Sequence, residues 1–600
     1  MVSPRFAAGR GRAAGARGRR GSAREAPARA KEAQEAEGSP MADAFDLVIR
    51  GGTLVDGTGA PGRPGDLGVR DGRIAALGRV EGEARRTLDA RGAVVAPGFV
   101  DIHTHYDAQL FWDGRLSCSP WHGVTTVVIG NCGFGIAPTR PAHRDLVLRT
   151  LESVEGMSLE ALRAGIGPEW PFTSFPEYLD AIEARGVAVN VGALVGHTPL
   201  RTFVMGEDAV AREATPDEVA AMRDLVREAL EAGALGFATS KSPTHVGYAG
   251  HPVPSRVAGT PEILALAEVL GDVPHGVLQC TIGPGLSFGE FEAVARATGK
   301  PVSWTALLAG LFGPKGHRGV LERHAKLQAE GVRVVPQVSC RPLTLEFQWK
   351  APFPLESQPE MRAVSAADLD GRRRLYADPD FRAALKARID GGALRGRFYG
   401  MVLSEHGPDP SLCERSVEDL AAERGAHPVD LALDLALASG LESRFRFAAA
   451  NTDDEDVAEL LAHPASMLGL SDAGAHASQL CDAGAPTTLL GRWVREQGVL
   501  TVEEGVRRLT GEPADIFGIR DRGRLEVGLA ADVPVFDPDA VACAPVRRVF
   551  DFPGGADRLV ADAHGIRFVI VNGTVIREDG RDALGAGERL PGRVLRGGQA

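Results

Sequence analysis

Two histidines, one residue apart, close the short apolar run Phe99-Val-Asp-Ile-His-Thr-His105. On an extended strand, residues two apart face the same side. Both imidazoles then point into one space and form half a site for zinc or a similar divalent ion. Cys132 stands among glycines in Gly130-Asn-Cys-Gly-Phe-Gly135, directly after the apolar run Thr125–Ile129. A thiolate beside two imidazoles is a good zinc donor set, and the flanking glycines permit close backbone approach. Asp472, in Ser471-Asp-Ala-Gly474, ends a further apolar run. A carboxylate at that place can bind metal and take a proton from a bound water. Each residue has an ordinary reading when taken alone: strand-end histidines, a small buried thiol, an aspartate capping a turn. Together they would suit a metal ion with a water bound beside the carboxylate.

These residues need a frame that gathers them. Apolar β-type runs at Thr125–Ile129, Val187–Val195, Ala234–Thr239, Gly276–Gln279, Pro301–Thr305 and Val332–Gln337 alternate with amphipathic helical stretches. One such stretch is Thr215 to Ala232, with Pro216 just inside its start and Gly233 just past its end. Alternation of this kind means a parallel sheet, and over about 400 residues it predicts an α/β fold with eight units closed as a TIM-like (β/α)8 barrel. Chemistry in such barrels sits at the C-terminal strand ends, where His103, His105, Cys132 and Asp472 fall. His197, His245, His476 and Arg341 also follow apolar runs and are candidates for lining the site.

Both chain ends read as β structure. Phe45–Asp56 predicts two short strands about a Gly51-Gly52 turn, and Asp66–Leu77 a hairpin about Asp71-Gly72. Arg524–Asp537 is strand-like, and Phe568–Ile576 is a hairpin about Asn572-Gly573. The economical expectation is one small β-sandwich domain built from both ends (43–97 and 521–580), with the barrel (98–520) inserted between them. The long aromatic segment 341–400 reads as a lid or inserted subdomain, 581–600 as a C-terminal tail, and 1–42 as a disordered basic tail. That basic tail contains eight arginines before Met41 and offers almost nothing to bury.

A net charge of -12 argues against a general nucleic-acid binder. No run of eighteen apolar residues is present, so no membrane span is predicted. Seven cysteines without repeating spacing fit reduced thiols in a cytoplasmic protein better than a disulfide framework.

The segments DLVIRGGTLVDGTG (from Asp46), APGFVDIHTH (Ala96–His105), GNCGFG (Gly130–Gly135), Gly196-His197 and Ser471-Asp472 resemble the amidohydrolase superfamily, and within it the N-acyl-D-amino-acid deacylases (D-aminoacylases). The likeness runs from about residue 45 to 578. It implies a metal-dependent hydrolase cleaving a linear amide, most plainly an N-acyl-(D-)amino acid. His103, His105 and Cys132 would be ligands to zinc. Asp472 would be ligand and general base, later protonating the leaving amine. His197 falls where the family carries a Gly-His near the site.

One departure matters. The resemblance implies histidines at the ends of the fifth and sixth barrel strands, yet these read Val277-Leu-Gln-Cys-Thr281 and Val302-Ser-Trp-Thr305. Gln279 and Thr305 are poor zinc ligands, and the family lysine just after the sixth-strand histidine is also missing. Three readings stay open: one zinc per chain at the remaining four residues, two metals completed by His245, His476 or Lys241, or a metal-free, non-catalytic barrel. A cyclic-amide hydrolase of the hydantoinase or dihydroorotase kind is the alternative enzyme, and Cys132 speaks against it. The expected partner is a small-molecule substrate with a carboxylate, held by Arg341 or, less directly, by Arg201 or Arg256. Neither nucleic acid nor membrane is expected, and self-association is left open.

Overall fold

The computed structural model describes residues 44–600 except 357 and 393. The basic tail, 1–42, therefore lies outside the described residues.

Eight parallel strands lie side by side in chain order: Phe99–Asp101, Val124–Ile129, Asn190–Gly196, Gly236–Ser240, Val277–Thr281, Val302–Thr305, Val334–Val338 and Met467–Leu468. The eighth turns back to the first through a parallel bridge between Thr104 and Ala473, where the His105 amide donates to the Ala473 carbonyl at 2.8 Å. The sheet thus curls toward a TIM-like barrel. Val100, Ile102, Val128, Leu194, Ala238, Val277, Val335 and Met467 pack together as one apolar cluster. On the fifth and seventh strands the same face continues with Gln279 and Gln337, both fully buried. The interior therefore changes from apolar to polar toward the strand ends, which is the change a reaction site requires.

The two chain ends meet in one nine-stranded sheet. Val94–Val95 pairs with Phe45–Leu54 on one side and, antiparallel, with Val533–Phe536 on the other. Asp71-Gly72 and Asn572-Gly573 form the expected hairpin turns, and all four residues have positive φ. Gly51-Gly52 does not turn the chain. Phe45–Leu54 is one strand, and its register against Arg63–Arg70 slips between Ile49 and Gly52. Gly51, at φ 73°, supplies the extra residue of a bulge.

The segment after the seventh strand is larger than 341–400. Leu343–Gln348, Arg444–Ala450, Val402–Glu405 and Arg415–Ser416 form a separate antiparallel sheet. With the helices Leu369–Ala377, Pro379–Asp390 and Pro428–Ala438 it encloses its own core about Trp349, Tyr376, Leu433 and Phe445. The helix Pro428–Ala438 has the pattern of a barrel helix, so its membership in the insertion cannot be read locally.

Residues 581–600 are not a loose tail. Arg581–Asp582 joins the terminal sheet, Val594 bridges Val191 on the third barrel strand, and Leu595 is fully buried in the barrel's interior cluster. Their polar composition hid a few apolar residues that close one end of the barrel. No described helix is long and apolar enough to cross a membrane.

Candidate metal centre at the barrel mouth

The first strand ends at Asp101, whose buried carboxylate accepts the His103 amide at 3.3 Å. His103 Nδ1–H donates to Gln337 Oε1 at 2.8 Å, while Gln337 Nε2 donates to Ser303 Oγ at 2.9 Å. A carboxamide oxygen can only accept, so the proton sits on Nδ1 and the Nε2 lone pair of His103 is left for a metal. Burial keeps this imidazole well below the usual histidine range, as a ligand must be.

Cys132 owes its place to the glycines around it. A side chain on Gly130 (φ 82°) would meet the Leu194 carbonyl at 2.1 Å, so the loop can lie flat against the third strand only without one. The Cys132 amide donates to Gln279 Oε1 at 2.7 Å. The fifth-strand residue that could not be a good ligand therefore holds one in place. Cys132 Sγ ends 3.3 Å from His103 Nε2.

Asp472 adopts φ 44° just after the eighth strand, and Ser471 Oγ–H ties this turn to the His103 carbonyl at 3.0 Å. Asp472 Oδ1 lies 3.1 Å from His103 Nε2 and 3.7 Å from His105 Nε2. His103, His105 and Cys132 each place one donor atom within 4.8 Å of the other two. Donors around a tetrahedral zinc stand about 3.3–3.6 Å apart, given bonds of about 2.0–2.3 Å. Three of the candidate residues thus gather as a group that could hold a metal ion, and Asp472 lies beside its two histidines.

The electrostatics ask for a cation. Asp101, Asp107, Glu155 and Asp472 crowd two imidazoles and a thiol, and among the described residues none of the four pairs with an arginine or lysine. Burial pushes Asp472 up to about 7, with Asp482, Glu155 and Asp101 adding to it and His105 opposing. Burial likewise raises Asp101 and Asp107 to about 6 each. It raises the Cys132 thiol too. For His105, burial works against the charged form, but the facing Glu155 carboxylate and Cys132 outweigh it and lift the imidazole well above its usual range. Asp101 Oδ2, His105 Nδ1 and Glu155 Oε1 are buried without a well-formed hydrogen bond. A soft N, N, S, O donor set in an uncompensated acidic pocket fits a divalent metal such as zinc.

The remaining candidates separate. His245 is half-buried near the centre: its ring lies 5.0 Å from that of Phe134, which lies 6.2 Å from that of His105. Burial lowers His245 to about 3 and His476 to about 4, so both are neutral groups beside the site. His197 is fully buried, with Nδ1 at 2.8 Å from Thr239 Oγ1 and Nε2 at 2.9 Å from Glu262. Both ring nitrogens are engaged in the wall, leaving nothing for substrate. Arg341 is neutralised by Asp482 at 3.1 Å, and the fully buried Arg201 by Glu262 at 2.5 Å. Lys241 Nζ donates to the Arg256 and Ala258 carbonyls at 2.6 and 2.7 Å. Arg256 donates to the His245 carbonyl at 2.9 Å and has no carboxylate partner among the described residues. Gln337 and Glu155 were not anticipated. A lone polar residue in the apolar strand Val-Val-Pro-Gln-Val marks Gln337, whereas a helix-end glutamate carries no such mark.

A small cleft opens beside Asp472, lined by Tyr106, Gly474, Cys481, Asp482 and Arg558 among others.

The sequence profile of the amidohydrolase family matches residues 86–347 and 399–577, leaving out much of the inserted subdomain. A D-aminoacylase of Alcaligenes xylosoxydans xylosoxydans is 32% identical over 540 residues, covering 89% of this chain and 95% of that one. An N-acyl-D-glutamate deacylase of the same organism is 32% identical, over 93% and 97%. A crystal structure of a D-aminoacylase superposes with a TM-score of 0.64 at 29% identity, covering 92% of this chain and 99% of the other. The N-acyl-D-glutamate deacylase of Bordetella bronchiseptica, solved with zinc and a phosphonate mimic of the tetrahedral intermediate, gives 0.63 at 29% identity, over 92% and 100%.

Proposed function

The chain belongs to the amidohydrolase family, and from that premise we propose that it is a zinc-dependent N-acyl-D-amino-acid deacylase with one metal per chain. The observation that carries this reading is the convergence of His103 Nε2, Cys132 Sγ and Asp472 Oδ1, at 3.1–3.3 Å from the first of them, with His105 Nε2 close by. A hydrolase acting on carbon–nitrogen bonds other than peptide bonds is the broad class.

His103, His105, Cys132 and Asp472 would hold the metal. When bound, it would polarise the amide carbonyl and acidify a water molecule. Asp472, fixed by its turn against the histidine pair, takes a proton from the attacking water. As the carbon–nitrogen bond breaks, it returns that proton to the amine nitrogen, so an N-acyl-amino acid and water yield a carboxylic acid and the free amino acid. His245 and His476 stay neutral and offer hydrogen bonds at the mouth. With Arg341 and Arg201 neutralised, Arg256 is the half-buried guanidinium left to meet a substrate carboxylate. Lys241 is occupied by two backbone carbonyls, which disfavours the bridging-lysine centre of a cyclic-amide hydrolase. Seven unpaired cysteines accord with a reducing compartment.

The test is turnover of paired N-acyl-D- and N-acyl-L-amino acids by protein loaded with one equivalent of zinc. Hydrolysis of the D series is expected. Turnover of hydantoin or dihydroorotate instead, or of nothing, would overturn the reading.

A further inference from the structure

Glu155 closes the helix Arg144–Glu155 with its side chain only 3% exposed. An anion is disfavoured there twice, because burial strips its hydration and the helix C-terminus is the negative end of the backbone dipole. Among the described residues no arginine or lysine pairs with it. What faces it most closely is His105 Nδ1, 3.1 Å from Oε1, with His476 also within reach of its charge, and neither Nδ1 nor Oε1 makes a well-formed hydrogen bond. The contact is within hydrogen-bond reach but off-axis. The same helix end braces the loop after Asp472: the Ala477 amide donates to the Glu155 carbonyl at 3.1 Å, and Ser478 Oγ–H to the Gly156 carbonyl at 3.1 Å.

We propose that Glu155 is a positioning residue for the metal centre, accepting the Nδ1–H of His105 and so presenting Nε2 to the ion. It does for His105 what Gln337 does for His103, but with a charge. The carboxylate-backed imidazole becomes the more basic of the two donors. A buried acid at the wrong end of a helix is thereby explained, since the cation it faces through His105 is its countercharge. The inference rests on the metal-centre reading given above.

The experiment measures zinc affinity of the full chain by competition with a chromophoric chelator, for wild type, Glu155→Gln and Glu155→Leu, alongside melting of the zinc-free proteins. Outer carboxylates on metal-bound histidines are typically worth 10–100-fold in affinity. The amide oxygen of Gln can still accept the Nδ1–H, so Glu155→Gln should weaken zinc about 10-fold and Glu155→Leu about 100-fold. In zinc-loaded protein with 15N-labelled histidine, the hydrogen-bonded Nδ1–H resonance of His105 should be lost in Glu155→Leu, while that of His103 persists. Zinc affinity within twofold of wild type in Glu155→Gln and Glu155→Leu, with only the melting temperature lowered, would make Glu155 a structural tie and overturn the inference. Should Glu155→Leu fail to fold, Glu155→Gln alone decides. If wild type takes no zinc at all, the metal reading itself fails first and this inference falls with it.

Discussion

Loading the centre with zinc near neutral pH should expel protons, and the geometry sets how many. His103 is held neutral by burial and gives none. His105 is held protonated by Glu155 and Cys132 against the pull of burial, and must give up one. Cys132 is a thiol, raised by burial, and must give up another. Asp472, at about 7, carries about half a proton at that pH. Between two and three protons should therefore leave per zinc bound, because ligands coordinate only when deprotonated. The metal-free state binds more protons than the loaded state, so affinity falls as pH falls. Around pH 7 it should weaken by roughly 100–1000-fold per pH unit lost. The assay is calorimetric titration of zinc in two buffers of different ionisation enthalpy, which separates proton release from binding heat. Cys132→Ser should release about one proton fewer. Release of less than one proton by wild type, or an unchanged count in Cys132→Ser, would refute the placement of His105, Cys132 and Asp472 as ligands.

Asp472→Asn should lower kcat by about 10²–10⁴-fold while zinc at saturating concentration still binds, and full activity would remove Asp472 from the chemistry. Arg256→Met should raise KM for an N-acyl-amino acid about 10–100-fold, as expected when one charged hydrogen-bonding contact of roughly 1.5–3 kcal/mol is lost. Its turnover of the matching N-acyl-alkylamine, which lacks the carboxylate, should be unchanged; an equal effect on both substrates would sink the assignment. His197→Ala removes partners from Thr239 and Glu262 inside the wall and should destabilise the protein by about 1–3 kcal/mol in urea unfolding. An altered KM with unchanged stability would return His197 to the substrate.

What could be read from the chain alone was whatever is local. Apolar runs of strand length, separated by amphipathic stretches, marked the barrel, because burial on both faces leaves a continuous signature. Asp71-Gly72 and Asn572-Gly573 marked hairpins because few residue pairs accept positive φ twice. Gly51-Gly52 carries a similar signature, and only the partner strand decides between a turn and a bulge. His103, His105 and Cys132 were legible because the two histidines end one apolar strand and the cysteine follows the next. Their supports were not: Gln337 lies 234 positions from His103, and the Glu155 contact depends on where a helix happens to stop. The same blindness hid the partners of Arg341 and His197. Their residue types suit a substrate, and the pairing partners that neutralise them, Asp482 and Glu262, announce nothing in sequence.

The meeting of the two chain ends has a consequence in time. Val94–Val95 emerges from the ribosome about 440 residues before Val533–Phe536, the strand that covers its open side. At roughly 5–20 residues per second the wait lasts about 20–90 s. During that interval the first half of the terminal sheet presents an unpaired edge, a template for the wrong neighbour. The barrel made in the meantime also lacks the Val594-Leu595 segment that packs onto it, which is synthesised later still. Yield of this protein in a host cell should therefore be governed by translation rate and by chaperones that shield a nascent strand, more than by the stability of the finished fold.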